Sequence, residues 1–168
     1  MKDLDSMKPD QARGLLAECC GSHRWVNEMT AKRPFKVYEN VFRVADEVAD
    51  GMEPKDWLEA FAHHPRIGEK AASAPEKGAA AEWAAKEQSG FDVAPVDVQA
   101  ALMNANQEYE GRFGYIYIVC ATGKSAEEML EILRGRLGND PDRELKVAAA
   151  EQRRITRLRL EKLLEPPK

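Results

Sequence analysis

The spacing of apolar residues predicts that this chain is almost entirely helical. Apolar side chains recur every three or four positions in eight segments, which is the period of a helix with one buried face. These segments cover residues 9–20, 22–29, 37–49, 54–63, 79–89, 96–113, 125–137 and 141–164. Prolines, capping serines and glycines lie at many of their ends. The pattern predicts an all-α fold, a compact bundle of seven to nine helices.

One stretch departs from the helical pattern. Tyr115 to Cys120 is a continuous apolar run that resembles a strand. Because the sequence offers no partner strand for it, we expect an extended or partly helical segment in the core. Neither a repeat nor a linker interrupts the chain, and a length of 168 residues suits a single domain spanning residues 1–168.

The composition narrows the classes of function. Apolar residues make up 43% of the chain and charged residues 32%, which indicates a soluble globular protein. The formal net charge of −4 provides no broad basic field, so we expect no nucleic-acid partner. No apolar run approaches the ~20 residues of a membrane span, and we expect neither a signal peptide nor a peroxisomal address. Three cysteines, with Cys19 and Cys20 adjacent, favour a reduced cytoplasmic setting, and no spacing suggests a metal site.

The stretch Phe-Ala-His-His-Pro-Arg-Ile-Gly, from Phe61 to Gly68, holds two of the three histidines. Pro65 fixes its own φ and pushes His64 out of the helical region, so the helix should end here and leave His64 at the mouth of a turn. An imidazole can take or give a proton near neutral pH. From the residues alone, a capping or surface role for His64 and a catalytic role both stay open.

Two further groups have both an ordinary and a chemical interpretation. Glu87 closes the alanine-rich helix, where the helix dipole opposes its charge; it is either a solvated surface group or a group tuned for proton transfer. Arg159 lies on the apolar stripe of the last helix, four residues after Ile155, and either snorkels to solvent or binds an anion. The arginines at 153, 154 and 157 are expected on a solvated face. Gly123-Lys124-Ser125 lacks the earlier glycine of a phosphate-binding loop, so it predicts a turn and an N-cap.

Six short motifs occur in one order along the chain. They are Cys20-Gly-Ser-x-x-Trp25-Val26, Arg33-Pro34-Phe35, His64-Pro65-Arg66-Ile67-Gly68, Glu87-Gln88, Asn106-x-x-Tyr109-x-x-Arg112-Phe113-Gly114 and Ile155-x-x-Leu158-Arg159-Leu160. Together they resemble 2-oxo-4-hydroxy-4-carboxy-5-ureidoimidazoline (OHCU) decarboxylase, an enzyme family of urate degradation. The resemblance runs from about Ser6 to Leu164. It implies an all-α fold, OHCU as substrate, (S)-allantoin as product and no metal or organic cofactor.

The resemblance also implies roles for individual residues. His64 matches the family's catalytic histidine and should manage the hydroxyl proton of the substrate, while Glu87 matches the catalytic glutamate, as its partner or as the acid that protonates carbon. Gln88 should hydrogen-bond the ureido or ring amide groups, and Arg159 should hold an anionic or carbonyl oxygen. The remaining substrate-binding positions are Pro65, Tyr117, Ile118 and Val119. Lys70 and Lys86 need form no Schiff base and are expected at the surface.

Three further expectations concern a missing hydroxyl, the assembly and the competing functions. Family members often carry a serine where this chain has Ala84, so a hydroxyl contact to the substrate is either missing or supplied elsewhere, for example by Ser73 or Ser89. A homodimer is expected from the resemblance, and because Trp25, Phe35 and the alanine-rich helix offer more apolar surface than one domain needs. The competing functions are a catalytically silent helical binding or interaction module, or another small-molecule lyase or hydrolase on the same scaffold.

Overall fold

The structure is a computed structural model, and it describes residues 3–69 and 78–165. Nine helices and no strand are found in these ranges. The helices are α1 Pro9–Cys19, α2 His23–Ala31, α3 Tyr38–Asp50, α4 Pro54–Ala62, α5 Ala79–Glu87, α6 Ser89–Asp92, α7 Val96–Phe113, α8 Ala126–Arg136 and α9 Pro141–Leu164. The prediction of an all-α fold with seven to nine helices is confirmed. No helix in the described ranges is long and apolar enough to cross a membrane.

The contacts within the chain form two compact units. The first unit comprises Met1–Ala60 and Arg153–Lys168, and the second comprises Phe61–Gln152. The division falls inside two helices, α4 and α9. A single domain over the whole chain stays a prediction.

The first unit is built from α1 to α3, most of α4 and the second half of α9. Ser22 begins α2 as predicted, because its side-chain oxygen accepts a hydrogen bond from the Trp25 backbone N–H at 3.3 Å. Trp25 and Phe35 are buried within this unit. They therefore cannot supply the spare apolar surface from which a dimer was argued, and that part of the prediction is wrong.

The second unit packs α7 and α8 around the predicted extended segment. Ser125 and Glu128 form the predicted capping box, in which each side chain accepts a hydrogen bond from the other residue's backbone N–H. The predicted extended segment, Tyr115 to Cys120, is neither helix nor strand, and the alternate residues Tyr117 and Val119 enter one apolar cluster. The buried members of this cluster are Ile67, Phe91, Leu102, Ala105, Tyr109, Tyr117, Val119, Ala121, Ala126, Met129, Leu130 and Leu133.

The alanine-rich helix ends earlier than its sequence predicts. Its last residue is Glu87 rather than Ser89, and a separate short helix, α6, follows. Gly90 lies inside α6, where a Cβ atom would stand 2.2 Å from the backbone oxygen of Lys124. This glycine is required by the close approach of two backbones and does not terminate the helix.

Candidate functional site

The His64 turn, residues 63–68, begins where α4 ends. The helix stops at Ala62, and the His64 backbone N–H still reaches the Phe61 oxygen at 3.1 Å. His63 is exposed, whereas His64 and Pro65 are half-buried. The predicted end of the helix before Pro65 is confirmed. Of the two histidines, only His64 is partly buried. The His64 Nε2 atom lies 2.6 Å from Oε1 of Gln152, which is fully buried on α9.

Side chains from other elements hold this turn in place. Gln88 accepts a hydrogen bond from the Gly68 N–H at 2.9 Å and donates one to the Arg66 oxygen at 3.4 Å. Asn106 on α7 donates to the Ile67 oxygen at 3.4 Å. The Arg66 guanidinium forms a two-pronged pair with Glu110, with distances of 2.9 and 2.6 Å, and this bond lowers the pKa of Glu110.

Gly68 allows the turn to close. Its φ is +86°, a conformation in which a side chain is strained, and a Cβ atom there would stand 2.6 Å from the Phe91 ring. The ring of α6 therefore packs directly on the backbone of the His64 turn. Because Phe91 follows Gln88 by three residues, one corner of the chain supports the turn both by packing and by hydrogen bonds.

The corner between α5 and α6 carries the predicted pair Glu87 and Gln88. Glu87 is the last residue of α5 and Gln88 is its C-cap. Ala84 is buried on the same helix and Ser89 is exposed, while Ser73 lies outside the described residues. Lys86 is exposed as predicted, and Lys70 also lies outside the described residues.

The extended segment is fastened by side chains at both of its edges. Arg136 donates to the Ile118 oxygen at 2.7 Å, and the Tyr117 hydroxyl donates to the Met129 oxygen at 3.0 Å. At its end, the Cys120 N–H donates to Glu151 at 3.0 Å. Tyr117, Ile118 and Val119 are all buried.

The Cys120 thiol links this segment to the α5–α6 corner. Burial raises its pKa, the Lys124 ammonium opposes that rise, and the carboxylates of Glu151 and Glu87 add to it.

Three hydrogen bonds tie these elements together within the second unit. His64 contacts Gln152, Glu151 next to Gln152 accepts from the Cys120 N–H, and Gln88, which follows Glu87, binds the backbone of the His64 turn. Residues far apart in the sequence are thus gathered around one end of the α9 portion of this unit. The arrangement places an imidazole and a carboxylate on elements that are fixed by buried polar contacts.

Arg159 belongs to the first unit and is 2% exposed. Its burial confirms the prediction that it does not share the solvated face of α9. Its Nη1 donates a hydrogen bond to the backbone carbonyl oxygen of Glu18 at 3.3 Å. It also influences the buried thiol of Cys20, whose pKa is raised by burial to about 11 although the bond to Thr156 and the Arg159 charge oppose the rise.

The other arginines of α9 divide into two groups. Arg154 and Arg157 are exposed, as predicted. Arg153 is not simply solvated, because it is half-buried and forms ion pairs with Asp46 at 3.2 Å and Asp50 at 2.7 Å. The prediction of a solvated face is wrong for Arg153, since acidic residues on α3 come within reach of its guanidinium.

Polar side chains buried on α9 and α8 were not predicted from the sequence. Glu144 is fully buried and is bonded to Arg136 at 2.5 Å and to the Tyr109 hydroxyl at 2.5 Å. Burial alone would lower the pKa of Arg136, but the bond to Glu144 and the neighbouring phenols raise it. Gln152, the partner of His64, was missed in the same way. Their phase on the apolar stripe of α9 was the signal that could have found them.

No group of three or more metal-ligating side chains occurs among the described residues. An open pocket in the first unit is lined by Trp25, Phe42, Trp57 and Arg153, among others. None of the predicted site residues lines it.

The fold and the site define a small helical protein in which the turn that carries an imidazole is bound by the helix corner that carries a carboxylate. The sequence model of one family, described as OHCU decarboxylase, matches residues 5–161. The chain belongs to this OHCU decarboxylase family.

Individual relatives support the assignment. A crystal structure of OHCU decarboxylase in the presence of (S)-allantoin is 31% identical, with a TM-score of 0.77, and the match covers 94% of this chain and 98% of that one. The uric acid degradation bifunctional protein TTL of Arabidopsis thaliana is 34% identical over 145 residues, which are 86% of this chain and 45% of that protein. The OHCU decarboxylase of Halalkalicoccus jeotgali is 24% identical over 168 residues and is covered to 92% of its length. The chain spans less than half the length of the first curated relatives it matches.

Proposed function

We propose that this protein decarboxylates OHCU to (S)-allantoin in urate degradation, without a metal or organic cofactor. The observation that carries the proposal is the bonding of the His64 turn in the second unit, in which His64 contacts Gln152 and the turn backbone is bound by Gln88, the neighbour of Glu87. Membership of the OHCU decarboxylase family supports the same reaction. One relative of known structure was crystallised with (S)-allantoin, the proposed product.

The chemistry of the substrate explains why no cofactor is required. When CO2 leaves, the electron pair of the broken bond stays on a carbon next to a C=N bond of the same ring. That imine accepts the pair, so the substrate supplies the electron sink that pyridoxal phosphate provides in other decarboxylases. The protein then needs to hold the C–CO2 bond perpendicular to the plane of the ring, so that it overlaps the π system of the imine, and to move two protons.

We assign those protons to His64 and Glu87. His64 takes the proton of the hydroxyl group on the carbon that loses CO2, and that carbon becomes the carbonyl of the product. The ureido-bearing carbon receives a proton on one face, which sets the (S) configuration. Glu87 delivers that proton or holds His64 while His64 delivers it.

Substrate binding is assigned to the side chains that the resemblance implied. Gln88 already binds the His64 turn through Oε1 and Nε2, yet an amide retains a second N–H donor and a second lone pair for the ureido or ring amide groups. Pro65 and the backbone of Tyr117, Ile118 and Val119 would line the pocket. Arg159 would hold an anionic or carbonyl oxygen through its planar fork.

The test generates the unstable substrate in situ from urate, with uricase and hydroxyisourate hydrolase. Circular dichroism then follows allantoin with and without this protein. The proposal expects a faster appearance of one enantiomer, (S)-allantoin. An unchanged rate and a racemic product would instead favour the alternative, a helical module that binds a small molecule and performs no chemistry.

We also propose a homodimer, on a different surface from the one first argued. Val93 and Val96 are 85% and 80% exposed, and Met103 lies on the same face of α7 as Val96, seven residues on. Substituting Val93→Asp together with Val96→Asp should convert a dimer of twice 18.8 kDa into a monomer in light scattering. Val37→Asp, an exposed valine of the first unit, is the matched control. A wild-type protein of 18.8 kDa at micromolar concentration would contradict the dimer.

The cellular setting is a proposal as well. Cys19, Cys20 and Cys120 are buried and form no disulfide bond, which suits a reducing compartment such as the cytoplasm.

A further inference from the structure

The contact between His64 and Gln152 indicates which nitrogen of the His64 ring carries the hydrogen. The Nε2 atom of His64 lies 2.6 Å from the side-chain oxygen Oε1 of Gln152. A carbonyl oxygen has no hydrogen to give, so the hydrogen in this bond belongs to the imidazole. In a neutral ring only one nitrogen carries a hydrogen, and the other keeps its lone pair. With Oε1 of Gln152 facing the ring, the hydrogen lies on Nε2, and Nδ1 is then the basic nitrogen of the neutral ring.

Gln152 is well suited to enforce that choice. It is fully buried, so water does not compete for its oxygen, and it lies on a helix of 24 residues. Its neighbour Glu151 is bonded to the Cys120 N–H at 3.0 Å, which fixes this turn of α9 against the extended segment. The opposite tautomer of His64 would place a lone pair against the Gln152 oxygen, and the buried bond would be lost.

We infer that Gln152 is a positioning residue that locks His64 in its Nε2–H tautomer, so that Nδ1 is the atom that accepts the substrate's proton. The inference rests on the proposed function. When Nδ1 takes the hydroxyl proton, the ring becomes an imidazolium, and Nε2–H then donates a stronger, charge-assisted bond to Gln152. An amide, unlike a carboxylate, supports that cation without holding a proton of its own.

The first test is spectroscopic and requires no activity. Nitrogen-15 spectra distinguish a protonated ring nitrogen from one with a lone pair, and a pH series finds the range in which each ring is neutral. His23 provides an internal reference, because its Nδ1 faces the carboxylate of Glu59 and should carry the hydrogen. His64→Asn identifies the His64 signals. We expect His64 to show the opposite pattern from His23, with the hydrogen on Nε2.

The second test is kinetic. Gln152→Leu keeps much of the side-chain volume and removes the acceptor. We expect kcat to fall about 10- to 100-fold with little change in KM, because the substrate still binds but the ring is wrongly protonated in part. The nitrogen spectrum of this variant should show a weaker preference for Nε2–H. Gln99→Leu is the matched control, since the Gln99 amide binds the Phe91 oxygen at 2.9 Å and not a histidine.

The outcomes separate this inference from the proposed function. A wild-type His64 with its hydrogen on Nδ1 would overturn the inference, as would Gln152→Leu with unchanged kcat and tautomer. If Gln152→Leu fails to fold, the wild-type spectrum alone still decides the tautomer. A wild-type protein that produces no (S)-allantoin would overturn the proposed function, while the spectrum would still report whether Gln152 sets the ring.

Discussion

Replacing Glu144 by glutamine tests how strongly one buried ion pair holds the second unit. The Glu144 side chain is fully buried and accepts hydrogen bonds from Arg136, Tyr109 and Asn139, at distances between 2.5 and 2.9 Å. Glutamine has nearly the same shape but no charge. The Arg136 guanidinium, whose side chain is only 7% exposed, would then keep its charge without a carboxylate.

The expected loss of stability follows from that geometry. Removing one partner of a buried ion pair costs about 3–5 kcal/mol, because an uncompensated charge is left inside. Arg136 retains the Ile118 oxygen at 2.7 Å, so we expect the lower end of this range, about 3 kcal/mol. For a chain of this size such a loss lowers Tm by roughly 6–12 °C. The double change Glu144→Leu with Arg136→Met should cost less than the sum of the single changes, because no buried charge remains.

Thermal and urea unfolding of the wild type, the single variants and the double variant measure these differences. Asp50→Asn is the control, since it removes one partner of the part-exposed pair with Arg153 and should cost less than about 1 kcal/mol. If Glu144→Gln unfolds within about 0.5 kcal/mol of the wild type, the pair does not stabilise the unit. Strict additivity of the two single changes would refute the coupling.

Three further predictions concern the proposed chemistry. His64→Asn should fold normally and lose ~10²–10⁴ in rate, whereas His63→Asn, at an exposed position, should be mild; near wild-type turnover of the first variant would remove His64 from the mechanism. Prolonged EDTA treatment should leave activity intact, and a loss that a divalent ion restores would contradict cofactor-free chemistry. Arg159→Lys should weaken allantoin binding in a calorimetric titration because it lacks the planar fork, while the exposed Arg154→Lys should not; equal affinities would exclude Arg159 from the site.

The helices could be predicted because their signals are local. Apolar period, caps and breakers act within a few residues, and α7 has the predicted bounds, Val96–Phe113. The end of α5 was misplaced because Gly90 was interpreted as a helix terminator, although it lies inside α6. Gly90 is required by the approach of Lys124, more than thirty residues away in sequence, and no local pattern reports such a contact.

Candidate site residues could be named from the sequence, and their roles stay predictions, but their arrangement could not be foreseen. His64 was found from the proline that follows it, and the burial of Arg159 was found from its phase on the stripe of α9. The engagement of Gln88 with the backbone of the His64 turn was not foreseen, since hydrogen-bond partners depend on tertiary packing. The burial of Trp25 was underestimated for the same reason.

The buried polar residues of α9 show that helix phase could have predicted more of the site than it did. Five polar or charged residues of this helix are buried, namely Glu144, Glu151, Gln152, Thr156 and Arg159. Burial removes the hydrogen bonds that each of these side chains would make to water. Each therefore needs a hydrogen-bond partner inside the protein, which an apolar residue at the same position would not need. Glu144 does so with Arg136, and Gln152 with His64. A polar residue in the apolar phase of a helix therefore predicts a buried partner elsewhere in the chain. Applied to Gln152 as it was to Arg159, that rule leads from the sequence to the orientation of the proposed catalytic base.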